Sequence, residues 1–238
     1  MPAEVVAVAA LTPTMRAITL RPQRWAGHRA GQHIRIRLTA PDGYSAQRDY
    51  SIASADDHSG LIEIAVDRLP EGEVSPFLHD DLIIGDQIEL RGPIGGHFVW
   101  EPALARPLLL VAGGSGIVPL RAMLEARHRQ GERAPAALIY AARHWNDLAY
   151  RDEFLARAAA DPQFWLQFAL SRETVAHPAV RQGRMEATLL ADALAALPAP
   201  LPDIFICGSN GFVETAVALS LAAGLPPELI RTERFGGA

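Results

Sequence analysis

The sequence predicts a Greek-key β-barrel domain followed by an α/β domain with a doubly wound, five-stranded parallel sheet, divided as 1–101 and 107–238. Three observations carry this prediction. As far as about Val99 the apolar runs are short, rich in β-branched residues and closely punctuated, which suits many short strands closed on themselves. Beyond Pro107 apolar runs alternate with longer segments of helical spacing, the pattern of a parallel sheet covered by helices. Between the two lies Trp100-Glu-Pro-Ala-Leu-Ala-Arg-Pro107, a connector with two prolines.

In chain order, Val5, Val6 and Val8 begin the barrel and Arg16-Ala-Ile-Thr-Leu20 continues it. His33 to Leu38 alternates so that Ile34, Ile36 and Leu38 share a face, a half-buried antiparallel strand. Asp42-Gly43 is a turn. Strands follow over Arg48–Ile52, Leu61–Val66 and Gln87–Leu90, with a short helical piece near Ser75–His79. In the second part the strands are Leu108–Ala112, Ala136–Ala141, Trp165–Leu170, Asp203–Cys207 and Ile230–Arg234. The helices are Ile117–Gln130, Tyr150–Ala160, Glu186–Ala196 and Phe212–Ala223. The Ala-rich tract from Ala187 to Pro200 keeps Leu189, Leu190, Leu194 and Leu197 at helical spacing and reads as an amphipathic helix.

The second part is organised around Val111-Ala-Gly-Gly-Ser-Gly-Ile-Val-Pro119. A strand buried on both faces runs into Gly113, Gly114, Ser115 and Gly116, then a helix opens with Pro119 near its first turn. Backbone amides converging on a helix start form a diphosphate cradle, although the same glycines also serve a plain tight turn.

A chain of 238 residues with 49 % hydrophobic and 21 % charged residues has an ordinary globular balance, and its net charge of -5 argues against nonspecific nucleic-acid binding. Cys207 is the single cysteine, which excludes a disulfide framework and an iron-sulfur cluster held by four cysteines of this chain. No stretch is apolar enough to span a bilayer, no metal site is expected, and Met1-Pro2-Ala3-Glu4 is not the basic start of a signal peptide, so a cytoplasmic location is expected.

Ligands of open α/β sheets lie at the carboxyl ends of the strands. Those ends carry Gly113–Gly116, Arg143 with His144, Ser171 with Arg172, and Cys207 to Gly211. Two guanidinium groups suit a phosphorylated dinucleotide, or each is a solvated surface residue. Cys207 is placed to stand beside a reacting ring or is a small buried residue; nothing near it announces a lowered pKa. In the first part, Arg48 and Tyr50 share a strand face, where an anion and a flat ring fit side by side. Ser51 points the other way and contributes through backbone or a bend. Tyr50 also reads as an ordinary barrel tyrosine. Gly72-Glu-Val-Ser75 precedes the short helix, whose amides suit a second phosphate.

Taken together, Arg48-Asp-Tyr-Ser51, Gly72-Glu-Val-Ser75, Gly92-Pro-Ile-Gly-Gly96, Gly113-Gly-Ser-Gly-Ile-Val-Pro119, Tyr140-Ala-Ala-Arg143, Cys207-Gly-Ser-Asn-Gly211 and Glu233-Arg-Phe-Gly236 resemble the ferredoxin-NADP reductase superfamily, from about Val5 to the C-terminus. The resemblance implies a flavin-binding barrel and a pyridine-nucleotide domain with the flavin between them. It implies that Arg48 pairs with the flavin phosphate, Tyr50 lies against the isoalloxazine, Ser51 hydrogen-bonds near N5, and Gly72, Val74 and Ser75 hold the diphosphate. It implies too that Gly113, Gly114, Ser115, Gly116, Pro119, Arg143, Cys207 and Gly208 line the nicotinamide nucleotide groove. Ser171 and Arg172 match the 2′-phosphate position and favour NADPH over NADH. Glu233 and Phe235 match a C-terminal segment closing over the flavin.

On this resemblance Tyr50, Ser51, Cys207 and Glu233 are the catalytic set, and hydride passes from nicotinamide C4 to flavin N5. The flavin is expected to be FAD rather than FMN. The acceptor is expected to be a separate protein, a ferredoxin-like protein or an oxygenase component. Two other readings are a flavin reductase that releases reduced flavin and a non-catalytic flavin-binding regulatory module.

Overall fold

The structure, a computed structural model, describes residues 1–101, 106–129 and 134–235. Residues 102–105 of the proline-containing connector, Gln130 at the expected end of the first long helix, and Gly236 of the last motif lie outside the described residues. The chain divides into two compact units, one of 1–101 with 121–126, the other of the remaining described residues.

The first unit holds β1 (Pro2–Ala10), β2 (Met15–Pro22), β3 (His33–Thr39), β4 (Ser45–Ser51), β5 (Ile62–Asp67) and β6 (Gln87–Ile94). They form one antiparallel sheet in the order β4-β3-β6-β1-β2-β5. An antiparallel bridge between Ile52 and Ile64, with the Ala53 N–H donating to the Glu63 carbonyl at 2.7 Å, brings the end of β4 back to β5. The sheet thus curls into a barrel and loses most of its open edge. Strand β6 lies beside β3 rather than β5, which is the Greek-key step. Alternation decides what is inside: Ile34 and Ile36 on β3 are fully buried with Val5, Ile18, Leu20, Ile62, Ile64 and Leu90.

Alternation also decides the outer face. Arg35 stands opposite Asp49 and Arg37 opposite Glu89, and each arginine grips its carboxylate with two nitrogens at 2.6–2.8 Å. All 22 basic residues of the chain are arginine, whose planar fork permits such two-point pairing where lysine offers a point charge. These pairs are about half exposed, so solvent screening leaves each with little net contribution to stability.

The second unit holds β7 (Leu108–Gly113), α1 (Ile117–Arg129), β8 (Ala136–Ala142), α2 (Arg151–Ala160), β9 (Phe164–Leu170), β10 (Val180–Gln182), α3 (Ala187–Ala195), β11 (Asp203–Gly208), α4 (Asn210–Ala222) and β12 (Ile230–Arg234). Its sheet is parallel throughout, ordered β10-β9-β8-β7-β11-β12. The sequence expectation of five strands is corrected to six. Strand β10 spans three residues between Pro178 and Gly183, too few to show a period of two, and only its pairing with β9 defines it.

Leu108 to Ala112 are fully buried, as expected for a strand covered on both faces. Three helix starts differ from expectation. Glu186 is the extended cap of α3 and not its first residue. Tyr150 is not the first residue of α2 but its left-handed cap, at φ 58°. Helix α4 begins at Asn210, ahead of Phe212, with Ser209 extended before it. Chain order reverses direction at β7, since β8 lies on one side and β11 on the other. That reversal opens a crevice at the carboxyl ends of β7 and β11.

Candidate functional site

In the second unit both glycine turns fall at that crevice. Gly114 adopts φ +55° with open space where a Cβ would stand, so its glycine answers a backbone conformation. Gly116 and Gly113 answer a different need. A Cβ on Gly116 would lie 2.1 Å from the Cys207 carbonyl oxygen, and one on Gly113 would lie 2.7 Å from the Phe212 ring. Gly208 meets the same ring, and its Cβ position is 3.1 Å from the Gly113 carbonyl. The two turns are pressed together backbone to backbone with Phe212 as a wedge. Pro119 is the third residue of α1, inside the first turn. Ser115 is half-buried between the glycines.

Cys207 is fully buried, and in the parallel register it stands beside Glu233 on β12. Burial, reinforced by the Glu233 charge, pushes its thiol well above the ordinary range, so it stays neutral and is a poor nucleophile. The Phe235 N–H donates to the Gly208 carbonyl at 2.9 Å, extending the pairing past β12. At the ends of β8 and β9, the Arg172 N–H donates to the Arg143 carbonyl at 3.0 Å, and Ser171 donates through its N–H and Oγ to the Ala142 carbonyl at 3.1 and 3.3 Å. Both side chains of that arginine pair are exposed, without an ion-pair partner among the described residues. Gly113–Gly116, Arg143, Ser171, Arg172, Cys207, Gly208, Glu233 and Phe235 therefore share one rim.

In the barrel, Ile34 faces Tyr50 and Ile36 faces Arg48 across β3 and β4. Tyr50 packs half-buried against the core, and burial pushes its phenol up to about 12, so the ring is neutral. Ser51 projects to the opposite face, is 4 % exposed, and its Oγ has no hydrogen-bond partner among the described residues. The second motif is a turn closed by Gly72 N–H to the Leu69 carbonyl and by Leu69 N–H to Ser75 Oγ at 3.1 Å. A Cβ on Gly72 would stand 2.8 Å from Ser75 Oγ. Val74 is fully buried in the barrel core, so only its backbone is open to a ligand.

The two barrel motifs meet through a residue that sequence reasoning did not single out. Glu73 accepts from Arg48 Nη2 at 3.2 Å and from the Tyr44 hydroxyl at 2.6 Å. The signal was present, since Glu73 is the acid inside Gly72-Glu-Val-Ser75, but only the fold brings it to Arg48. Phe212 was likewise read as a helix start rather than as the wedge between the turns. Among the described residues no group of three or more His, Cys, Asp or Glu is arranged to hold a metal ion, and no helix is long and apolar enough to cross a membrane.

Residues 4–100 match the family model described as an oxidoreductase FAD-binding domain, and residues 110–218 that of an oxidoreductase NAD-binding domain. The chain is 34 % identical over 241 aligned positions to ferredoxin–NADP reductase B of Sorangium cellulosum (strain So ce56), covering 98 % of this chain and 96 % of that protein. The chain belongs to the ferredoxin-NADP reductase superfamily. It is an NAD(P)H-dependent flavin oxidoreductase by that membership, with FAD as its flavin. The superfamily also includes the toluate 1,2-dioxygenase electron transfer component of Pseudomonas putida, 32 % identical over 86 % of this chain and 58 % of that protein. The FAD/NAD-binding domain of a nitric oxide dioxygenase from Vibrio cholerae O1 biovar El Tor superimposes with a TM-score of 0.86 at 26 % identity, over 99 % of this chain and 98 % of that one. Beyond the first relative, the chain spans about half to two thirds of the length of the curated relatives it matches.

Proposed function

We propose that the barrel holds FAD, that the α/β unit presents NAD(P)H, and that the chain passes electrons to a separate protein, a ferredoxin or an oxygenase component. The observation that carries this reading is Ser51: a buried hydroxyl without a partner costs about 1–3 kcal/mol, a cost that a polar ligand offsets. FAD held there would supply the chemistry of accepting a hydride and releasing electrons singly. Ser51 Oγ donates a hydrogen bond to the flavin ring, Tyr50 offers a neutral aromatic face, and Arg48 with the amides of Gly72, Val74 and Ser75 meets the phosphates. The Gly113–Gly116 turn and Gly208 offer backbone amides to the nucleotide diphosphate, and Pro119, which has no N–H to offer, lines the groove from the first turn of α1. Cys207, held neutral, forms a small polarizable wall beside the nicotinamide, with Glu233 next to it and Phe235 closing the edge. Arg143, Ser171 and Arg172 bind a 2′-phosphate, which makes NADPH the favoured donor. A division of labour at 1–101 and 107–238 and a cytoplasmic setting complete the reading.

Anaerobic mixing with NADPH tests it: prompt bleaching of the flavin's visible bands is expected, and their persistence would refute turnover and leave a regulatory module. A second reading, a flavin reductase that releases its flavin, is favoured by the prior engagement of Arg48 with Glu73. Purification distinguishes the two, since a retained yellow chromophore excludes the releasing enzyme.

A further inference from the structure

Arg48 is the cation that the proposed function assigns to the flavin phosphate, yet a carboxylate of its own barrel already holds it. Glu73 takes Nη2 at 3.2 Å, while Nη1 donates to the Gln47 carbonyl at 2.7 Å. Glu73 is not a stray surface acid. Its other oxygen accepts from the Tyr44 hydroxyl at 2.6 Å, so one carboxylate ties together the turn after β3, strand β4 and the turn after β5. The same acid pushes the Tyr44 phenol up. All three side chains are about half exposed, a setting in which an ion pair has little net strength and exchanges readily.

A phosphate that approaches Arg48 must displace Glu73 or share the guanidinium with it. Sharing places two anions on one cation, and the repulsion grows with phosphate charge. The terminal phosphate of a mononucleotide carries nearly two negative charges at neutral pH, as a phosphomonoester does, whereas each phosphate of a dinucleotide diphosphate carries about one. We propose that Glu73 is a specificity and retention determinant of the flavin site: it competes for Arg48, loosens flavin binding, and discriminates against FMN more strongly than against FAD. The inference rests on the assignment of Arg48 to the flavin phosphate.

The test titrates the flavin-free 238-residue chain with FAD and with FMN, following flavin fluorescence. Glu73→Gln keeps the hydrogen-bonding shape and removes the charge. It is expected to tighten FAD about threefold and FMN about tenfold, the latter corresponding to about 1.4 kcal/mol. Tyr44→Phe removes the hydroxyl that positions the Glu73 carboxylate against Arg48 and is expected to tighten FAD by no more than about twofold. The decisive arm is the double variant, because removal of Arg48 leaves Glu73 nothing to compete for. In an Arg48→Ala background the Glu73→Gln effect is expected to disappear. Unchanged FAD and FMN affinities in Glu73→Gln, alongside weakened FAD binding in Arg48→Ala, would overturn the inference and spare the assignment of Arg48. Equal tightening in both backgrounds would overturn it as a general charge effect. Unaltered FAD binding in Arg48→Ala would overturn the assignment and the inference together.

Discussion

On the proposed reading the two units prepare for anions in opposite ways. At the β7 and β11 turns the proposed cradle is made of backbone: Gly116 and Gly208 are buried, and the chains touch where a Cβ would stand. In the barrel the proposed cradle is made largely of side chains, with Arg48, Glu73 and Tyr44 all about half exposed and joined by one ion pair and one hydrogen bond. A backbone cradle is inseparable from folding, whereas a side-chain cradle is adjustable without cost to the fold. Substitutions on the first side should therefore register as lost stability, and on the second as altered ligand affinity or rate.

The largest effect is expected at Gly116→Ala. Its methyl has no room against the Cys207 carbonyl, so about 3 kcal/mol or more should be lost in urea unfolding of the α/β unit. Tolerance of alanine there would mean that the turns are not welded by contact. Arg172→Ala tests the exposed rim of the same unit, where a side chain does the work. Loss of one charge-assisted contact to a phosphate, about 1.5–3 kcal/mol, predicts a fall of roughly tenfold or more in kcat/KM with NADPH and no change with NADH. An unaltered NADPH preference would return Arg172 to the solvated surface.

Ser51→Ala separates ligand from fold within the barrel. Removing an unpartnered buried hydroxyl should leave the flavin-free chain as stable as before or more stable by about 1 kcal/mol, while slowing flavin bleaching by NADPH. A clear drop in the flavin-free melting temperature would instead make Ser51 structural. The smallest effect concerns pH. Burial keeps the Cys207 thiol protonated in the folded chain beyond the ordinary range, so above about pH 8.5 the unfolded chain releases a proton that the folded chain keeps. Stability is unaffected by this group below that pH and declines as pH rises above it, by at most about 1.4 kcal/mol per pH unit. Cys207→Ala should flatten the decline in alkaline unfolding curves relative to the parent chain.

Periodicity and composition were legible in the chain alone. Ile34 and Ile36 could be assigned to one buried face because a strand repeats every two residues. Leu108 to Val111 could be assigned to a doubly covered strand because no polar residue interrupts them. The glycine turns, the rim arginines and the Arg48-Asp-Tyr-Ser51 strand were legible for the same reason, being local patterns with local causes. Relations between distant positions emerged with the folded chain. Strand β10 exists through its pairing with β9, since three residues carry no period. Gly116 and Phe212 acquire their roles from a contact between turns nearly a hundred residues apart in sequence, and Glu73 reaches Arg48 across 25 residues. Such contacts depend on strand order and register, which arise when the whole hydrophobic pattern is buried at once and which no local window of residues encodes.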